Sequence, residues 1–248
     1  MRHTILAAFD FDHTICDDNT DVVVRKLLSE EKIPEDVKSL YKSSGWIAYM
    51  GRIFELLHEN NVDAQQIENA VANIPAVAGI ATVLTSLRAS NHDVVIISDS
   101  NSLFIDCWLK SKKLERVVSR VFTNPAWYDG NGMLRVSMYH TQRSCQLSAV
   151  NLCKGQVLTD YVKERRDQGV NFDRIIYVGD GRNDLCPILR LSRDDLACPR
   201  QDYALIDILD KLPPDRKMKA QVVPWENGRD LRCSLERVVG SDVLYGAC

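Results

Sequence analysis

Short apolar runs recur along the chain, and each is followed by a turn and a segment with helix-like spacing. Three of these runs are TILAAF, DVVIIS and RIIYVG, which carry few charges and many β-branched residues. Such alternation of buried strands and helices is typical of an α/β fold with a doubly wound, Rossmann-like parallel sheet. The runs lead to Asp10, Ser98 and Asp180. Polar residues at three strand ends are predicted to converge in one crevice at the carboxyl edge of the sheet.

A long segment separates the first two predicted strands. It spans about 80 residues, too many for a simple crossover connection, and its stretches WIAYMGRIFELLHENN and AQQIENAVANI have apolar residues at helical spacing. We therefore predict a helical insertion over residues 16–81, with residues 1–15 and 82–248 forming the α/β domain. Within that domain, RVFTNPAWYDGNGMLRVSMYH is predicted to form a β-hairpin, and DLACP and QVVPW are candidates for further strands.

Composition limits the classes of function. A chain of 248 residues with 45% hydrophobic residues can bury a full core and suits one medium domain with a small insertion. The net charge of −3 provides no basic surface, so neither nucleic acid nor an anionic membrane is expected as a partner. The longest aliphatic run, VVII, is far shorter than the roughly 20 residues of a membrane span, so a cytoplasmic location is expected. The eight cysteines form no CxxC pair and are expected to be reduced thiols.

The stretch AAFDFDHTICDD concentrates negative charge at the end of the first strand. No lysine or arginine within residues 3–24 balances Asp10 and Asp12. Carboxylates held close together repel one another, so a divalent cation is expected to balance them. In YVGDGRND, Asp180 and Asp184 supply two more oxygen ligands at the end of the third strand. Together with the Asp10 carboxylate and a backbone carbonyl near Asp12, they predict a site suited to Mg²⁺.

The same carboxylates, with a hydroxyl group and a lysine, are suited to phosphoryl transfer through an aspartyl-phosphate. We expect Asp10 to attack phosphorus in line. Asp12 is expected to protonate the leaving alkoxide and then to deprotonate the hydrolytic water. Ser98, in IISDSN, can donate a hydrogen bond to phosphate, and Lys154, in NLCKG, can neutralise charge on the phosphoryl oxygens.

Each of these residues also has an ordinary structural interpretation. Asp10 and Asp12 could lie in a solvated turn, and Asp184 could cap a helix. Ser98 could satisfy backbone groups at a strand end, and Lys154 could be a surface charge. The catalytic interpretation depends on the combination, because all of the parts occur in order along one chain.

The motifs DFDHT, IISDSN and GDGRND, together with Lys154, match the four motifs of the haloacid dehalogenase superfamily of phosphatases. The stretches YMGRIFELL, FTNPA, NLCKG and GDGRNDLCP resemble the phosphoethanolamine/phosphocholine and pyridoxal-5′-phosphate phosphatase family over most of residues 4–210. The resemblance implies a Rossmann-like core, a small helical cap, Mg²⁺ dependence and a small phosphorylated metabolite as substrate. It also implies that Asp10 is the nucleophile, that Asp12 is the acid/base, and that Asp180 and Asp184 belong to the metal site.

The resemblance extends to the substrate. It makes pyridoxal 5′-phosphate the first candidate and phosphoethanolamine or phosphocholine the second, with pyrophosphate and thiamine phosphate as alternatives. It implies that Asp21 and Asp99 contact a cationic amine, although a helix-start acid and an Asx turn explain these two residues equally well. Ser148 departs from the pattern, because relatives carry a cysteine there in a cysteine-rich loop. In another class of function, the protein would bind a phosphorylated ligand without hydrolysing it, but no catalytic position is substituted.

Overall fold

The computed structural model describes residues 4–213 and 218–240, and the centre of the fold is strand β1 (Ile5–Phe9). All five residues of β1 are fully buried. They form an uninterrupted apolar run because both faces of the sheet are covered, so no position of the strand needs to face water. Three short segments of the predicted α/β domain, residues 1–3, 214–217 and 241–248, lie outside the described residues.

Strands and helices follow one another along the chain. The other strands are β2 (Asp93–Asn101), β3 (Arg120–Asn124), β4 (Ala126–Tyr128), β5 (Leu134–Val136), β6 (Arg174–Gly179), β7 (Leu196–Pro199) and β8 (Gln221–Val222). The helices are α1 (Thr20–Arg25), α2 (Glu35–Ser44), α3 (Trp46–Glu59), α4 (Ala64–Ala72), α5 (Ile80–Ala89), α6 (Ser102–Ser111), α7 (Lys154–Asp167), α8 (Leu185–Ile188), α9 (Ala204–Asp210) and α10 (Gly228–Val239). Short 3-10 turns lie at Glu30–Lys32 and Arg182–Asp184.

Six parallel strands form the main sheet in the order β3-β2-β1-β6-β7-β8. The chain runs outward from β1 through β2 to β3 and then returns to the other side of β1 for β6, β7 and β8. This is the predicted Rossmann-like, doubly wound α/β sheet, and the segments DLACP and QVVPW supply β7 and β8. The strand order reverses beside β1, and ligands bind such sheets at the carboxyl edge near that reversal.

Two strands differ from the prediction. The segment RVFTN, predicted as part of the hairpin, instead pairs with β2 in the main sheet as β3, so the hairpin consists of β4 and β5 alone. Strand β2 continues past Ser98 to Asn101, with an irregular register after Ile97. The extension ends where the Asn101 side chain accepts a hydrogen bond from the backbone N–H of Phe104 at 3.0 Å. Asn101 thereby caps α6 directly after the strand.

The core has two parts, one on each face of the sheet. Alternate residues of β1 point in opposite directions, so Ile5, Ala7 and Phe9 belong to one buried cluster and Leu6 and Ala8 to the other. Helices α5, α6 and α10 contribute to the first cluster, and α7, α8 and α9 contribute to the second. Helices on both faces are what an all-parallel sheet requires.

The segment between β1 and β2 is largely helical, as its spacing predicts. Helices α1 to α4 lie within it, and α3 buries Met50, Ile53, Phe54 and Leu57. These side chains belong to the same cluster as the first face of the sheet, so the inserted helices and the sheet share one core. The next helix, α5, begins at Ile80, so the predicted end of the insertion falls within its first turn.

The structure bears on two expectations drawn from composition. Six cysteines are free, as expected, namely Cys16, Cys107, Cys145, Cys153, Cys186 and Cys198. Cys233 differs, because it is disulfide-bonded. Within the described residues, no helix combines the length and the apolar composition that a membrane span requires.

Candidate active site

Three strand ends bring the predicted site residues together at the carboxyl edge of the sheet. Asp10 follows β1, Ser98 lies in β2 and Asp180 follows β6. The backbone N–H of Asp10 donates to the carbonyl oxygen of Val178 at 2.9 Å, so the pairing of β1 with β6 continues up to the site. A cavity of about 130 Å³ opens there. The predicted residues that line it are Asp10, Asp12, Ser98, Asp99 and Asp180.

A buried lysine connects two of the carboxylates. Lys154 is the first residue of α7, and only 1% of its side chain is exposed. Its Nζ lies 2.7 Å from Asp10 Oδ2 and 2.8 Å from Asp184 Oδ1. Burial lowers the pKa of Lys154, but the two carboxylates outweigh burial and hold that pKa above its ordinary value. Lys154 therefore carries a positive charge between Asp10 and Asp184.

Asp184 is held by donors on every side. Its Oδ1 accepts hydrogen bonds from Lys154 Nζ at 2.8 Å and from the Tyr177 hydroxyl at 2.7 Å. Its Oδ2 accepts hydrogen bonds from the backbone N–H groups of Asp180 at 3.1 Å and Gly181 at 3.0 Å. A carboxylate offers about four acceptor positions, so these four bonds occupy them, and in this arrangement Asp184 shapes the cation site rather than supplying a free ligand oxygen. Asp184 thus fixes both the lysine and the turn that carries Asp180.

Asp12 lies where the inserted helices begin, and it contacts Thr20 of α1. Its Oδ1 accepts a hydrogen bond from the backbone N–H of Thr20 at 3.1 Å, and its Oδ2 accepts one from Thr20 Oγ1 at 3.3 Å. Burial and then the negative charge of Asp21 raise the pKa of Asp12 to about 7. A carboxyl group with a pKa near neutrality can both give and take a proton, which general acid–base catalysis requires.

Carboxylates from the ends of β1 and β6 form a group able to hold a cation. One oxygen from each of Asp10, Asp180 and Asp184 lies within 4.8 Å of the others, and all three residues are buried. Burial and then the neighbouring carboxylates raise the pKa values of Asp10 and Asp180. Thr14 Oγ1 donates to Asp180 Oδ1 at 3.1 Å and orients that carboxylate. Hard oxygen ligands whose charges repel one another suit Mg²⁺.

The two residues expected to contact an amine lie in different environments. Asp99 lines the cavity, and its carboxylate accepts hydrogen bonds from Asn151 Nδ2 at 3.0 Å and Asn183 Nδ2 at 2.7 Å. Asp21 is buried outside the cavity lining, where its Oδ2 accepts a hydrogen bond from Trp46 Nε1 at 2.6 Å. The structure therefore brings Asp99 to the cavity but not Asp21.

Three side chains that shape the site were not predicted from the sequence. Thr20 and Tyr177 donate hydrogen bonds to carboxylates of the site, and Asn183 lines the cavity. Asn183 lies inside GDGRND, so the motif already indicated that this residue lies near the site. No sequence pattern indicated a functional role for Thr20 or Tyr177, because a threonine at a helix start and a tyrosine in a strand are common for purely structural reasons.

Comparison with known proteins identifies the family of this chain. The family model described as Putative Phosphatase matches residues 5–239. The pyridoxal phosphate phosphatase PHOSPHO2 of Bos taurus is 40% identical over 238 residues, which cover 95% of this chain and 98% of the relative. The phosphoethanolamine/phosphocholine phosphatase of Homo sapiens is 34% identical over 241 residues, which cover 95% of this chain and 90% of the relative.

Solved structures support the fold. A substrate-bound phosphoserine phosphatase matches with a TM-score of 0.60 at 19% identity, over 96% of this chain and 99% of the other. A haloacid dehalogenase family hydrolase from Salmonella enterica matches with a TM-score of 0.61 at 17% identity, over 97% of this chain and 72% of the other. Both confirm the predicted haloacid dehalogenase-like core. With the family model and the curated relatives, they establish that this chain belongs to the Putative Phosphatase family and is a phosphoric monoester hydrolase of haloacid dehalogenase type.

Proposed function

We propose that this protein is a Mg²⁺-dependent phosphatase that hydrolyses a small phosphomonoester through an aspartyl-phosphate on Asp10. The observation that carries the proposal is the position of Asp10. It is buried at the end of β1, it pairs with Lys154 at 2.7 Å, and it lines a cavity of about 130 Å³. A carboxylate in this position faces the phosphoryl group of a substrate that enters the cavity.

In the first step, a carboxylate oxygen of Asp10 attacks phosphorus in line with the ester oxygen. The bond from phosphorus to the ester oxygen breaks as the bond to Asp10 forms, and Asp12 donates its proton to the departing alkoxide. A pKa of about 7 supports this role of Asp12, because much of the group is protonated at neutral pH.

In the second step, the ionised Asp12 takes a proton from a water molecule whose oxygen attacks phosphorus. The bond between phosphorus and Asp10 breaks, phosphate leaves, and both carboxyl groups return to their starting states. The two hydrogen bonds from Thr20 hold the Asp12 carboxylate in one orientation for both steps. Thr20 is therefore a positioning residue in this mechanism.

Ser98 and Lys154 are proposed to bind the phosphoryl oxygens. Ser98 is 1% exposed, and its Oγ accepts a hydrogen bond from the backbone N–H of Ser100 at 3.2 Å. That bond leaves the hydroxyl proton of Ser98 free to be donated to phosphate. Lys154 neutralises the charge that develops on the phosphoryl oxygens in the transition state.

Asp10 and Asp180 are proposed to hold Mg²⁺, together with a backbone carbonyl near Asp12. The buried, mutually repelling carboxylates support this assignment. The four hydrogen bonds of Asp184 support a role in shaping the metal site and holding Lys154. When bound, Mg²⁺ offsets the charge of the carboxylates and of the phosphoryl group.

Pyridoxal 5′-phosphate is the substrate that we propose first, because the relative bearing that name shares 40% identity over nearly its full length. Phosphoethanolamine or phosphocholine is the second candidate, and Asp99 favours it, since a carboxylate in the cavity lining can face a cationic amine. Pyrophosphate and thiamine phosphate are the further alternatives. Asp21 lies outside the lining, and we propose that it acts through Asp12, whose pKa it raises.

The domain division is part of the proposal. We propose that residues 16–81 form a cap and that residues 1–15 and 82–248 form the catalytic core. The hydrogen bonds from Thr20 to Asp12 support a cap that contacts the acid/base residue directly, and the bond from Trp46 to Asp21 joins two helices of that cap. Substrate selection then depends on the cap, and phosphoryl transfer depends on the core.

Phosphate release tests the proposal. Purified protein with Mg²⁺ is assayed on pyridoxal 5′-phosphate, phosphoethanolamine, phosphocholine, pyrophosphate and thiamine phosphate. Asp10→Asn is expected to abolish release, whereas Asp106→Asn, at a residue with 59% of its side chain exposed, is expected to leave it unchanged. Removal of Mg²⁺ with EDTA is expected to stop the reaction. Activity retained in folded Asp10→Asn would refute the nucleophile, and binding of these esters without release would favour a non-catalytic ligand-binding protein.

A further inference from the structure

Three cysteines from separate segments meet beside the candidate active site. Cys145 Sγ lies 3.4 Å from Cys186 Sγ, and Cys153 Sγ lies 3.6 Å from Cys186 Sγ. All three sulfur atoms lie within 4.8 Å of one another. Cys153 directly precedes Lys154, and Cys186 follows Asp184 by two positions. The cysteine cluster therefore touches both chain segments that carry the ion pair between Lys154 and Asp184.

The sulfur spacing matches metal coordination. A tetrahedral metal with metal–sulfur bonds of about 2.3 Å holds its sulfur atoms about 3.8 Å apart. A disulfide instead needs about 2.05 Å between two sulfurs, and it would leave the third cysteine unused. The distances of 3.4 Å and 3.6 Å are therefore close to the edges of a metal tetrahedron.

The loop that presents Cys145 is preorganised by one buried glutamine. The two N–H groups of Gln142 Nε2 are shared among three carbonyl oxygens, those of Cys145 at 3.2 Å, Ser148 at 3.1 Å and Ala149 at 2.8 Å. Gln142 Oε1 accepts a hydrogen bond from the backbone N–H of Cys145 at 2.9 Å. These hydrogen bonds fix the loop and direct the Cys145 sulfur toward Cys186. A loop that is already ordered lowers the entropic cost of binding a metal ion.

Space and charge at the cysteine cluster also fit a cation. A Cβ atom on Gly155 would lie 2.6 Å from Cys186 Sγ, so glycine at this position makes room for the sulfur. Arg190 Nη2 lies 3.9 Å from Cys153 Sγ. Three thiolates around a divalent cation leave one net negative charge, which the Arg190 guanidinium offsets.

A fourth ligand can come from the partly exposed side of the cysteine cluster. Ser148 Oγ lies 3.5 Å from Cys145 Sγ, and both residues are only partly buried. The hydroxyl group of Ser148 or a water molecule can complete a tetrahedron there. The partial exposure also provides the path by which a metal would enter.

We infer that Cys145, Cys153 and Cys186 bind a thiophilic divalent metal, with Zn²⁺ as the natural occupant, at a site separate from the Mg²⁺ site. The ion ties the loop before α7 to the segment that follows Asp184. Its role is structural: it holds the N-terminus of α7, and hence Lys154, against the turn that carries Asp184. Metal binding by these cysteines requires neither the substrate nor the phosphatase mechanism.

Cobalt spectroscopy tests the thiolate site apart from activity. The intact protein is stripped with EDTA under reducing conditions, returned to excess Mg²⁺, and titrated with Co²⁺. We expect a thiolate-to-cobalt charge-transfer band that saturates at about one equivalent and disappears when Zn²⁺ is added. Oxygen ligands of the Mg²⁺ site cannot produce that band. Cys145→Ser is expected to remove most of the band, and Cys107→Ser, at a half-buried free thiol outside the cysteine cluster, is expected to retain it.

Alkylation of the wild-type protein keeps the test independent of the variants' folding. We expect Zn²⁺ to protect Cys145, the partly exposed member of the cluster, from a maleimide, as mapped by mass spectrometry, while Cys107 reacts as before. A missing cobalt band in reduced wild-type protein would overturn the inference, as would a band that persists undiminished in Cys145→Ser. A disulfide between Cys145 and Cys186 in protein purified without oxidant would also overturn it and would identify a redox pair instead.

Discussion

Lys154 faces two carboxylates in a region from which water is nearly excluded. The substitution Lys154→Met keeps the length of the side chain but removes the charge that balances Asp10 and Asp184. We expect kcat to fall about 100-fold to 1,000-fold, as for the loss of one group that stabilises charge in a transition state. Steady-state phosphate release at saturating Mg²⁺ measures the effect.

Lys163 provides the matched control, because it lies on the exposed side of the same helix, α7. Lys163→Met removes the same charge from the chain and is expected to leave kcat unchanged. If Lys154→Met kept its activity within about twofold of wild type, the assignment of its charge to the transition state would be wrong.

Residues at strand ends were predictable because parallel topology places the ends of β1, β2 and β6 at one edge. Asp10, Ser98 and Asp180 therefore meet as expected. Asp21 was not predictable in the same way. Its carboxylate bonds to Trp46, 25 positions further along the chain, and the packing of two helices decides that contact.

The first turns of α5 and α10 approach each other through their backbones. A Cβ atom on Gly228 would lie 2.2 Å from the carbonyl carbon of Gly79, and the N–H of Gly228 donates to the carbonyl oxygen of Ala78 at 2.7 Å. Gly228→Ala is expected to push the helices apart and to lower the free energy of unfolding by about 3 kcal/mol, as for severe overpacking. Urea unfolding followed by circular dichroism measures the loss.

Gly130, in the turn between β4 and β5, is the comparison for this prediction. A Cβ atom there meets no other atom within 4 Å. Gly130→Ala is expected to change the free energy of unfolding by less than about 1 kcal/mol. Equal losses in the two variants would show that the close contact of α5 and α10 does not limit stability.

One partly buried hydrogen bond links α1 to α3 within the proposed cap. Trp46 Nε1 donates to Asp21 Oδ2 at 2.6 Å, and burial raises the pKa of Asp21 to about 6 even though this bond lowers it. Trp46→Phe removes this 2.6 Å donor from a buried carboxyl group. We expect the free energy of unfolding to fall by about 1–3 kcal/mol, measured by thermal or urea unfolding.

Trp127→Phe controls for loss of the indole ring, because Trp127 is 48% exposed, and it is expected to have little effect. A double-mutant cycle with Asp21→Asn isolates the hydrogen bond from the ring packing. Strictly additive losses in that cycle would mean that the bond contributes nothing to stability.

Among the elements, the central strands and α3 were predictable because each carries its own hydrophobic period. Strand β3 was not placed correctly, because RVFTN has strand character whichever sheet it joins. Its pairing with β2 spans 25 positions and the intervening helix α6. Local pattern predicts that a strand exists, but not which neighbour it acquires.

Acidic groups around the cavity connect the stability of the whole molecule to pH. Burial raises the pKa values of Asp10, Asp12 and Asp180 above the ordinary value of 3.8. The folded protein thus keeps protons that the unfolded chain has already released. Unfolding therefore releases protons, and without metal the free energy of unfolding falls as pH rises from about 4 to about 8. For Asp12, the contribution is complete below 3.8 and is lost as pH rises through about 7.

Mg²⁺ is expected to oppose this trend, because the cation takes the place of the protons. We expect Mg²⁺ to raise the melting temperature more at pH 8 than at pH 6, as measured by thermal unfolding against an EDTA reference. Asp10→Asn removes one of the repelling charges and is expected to flatten the pH dependence of the metal-free protein. A Mg²⁺ effect of the same size at both pH values would contradict the prediction.

The central place of β1 in the sheet also governs how the chain reaches its folded state. Thr4, just before β1, bonds to Asp173, just before β6, across 169 positions of sequence. At about 5–20 residues per second, a ribosome delivers β1 roughly ten to thirty seconds before β6. During that interval the five apolar residues of β1 lack one neighbour, which exposes them to pairing with other chains. Among the six strands of the main sheet, β1 is synthesised first, but it gains its second neighbour only after 169 further positions. Mispairing during translation therefore acts first on the strand that presents Asp10.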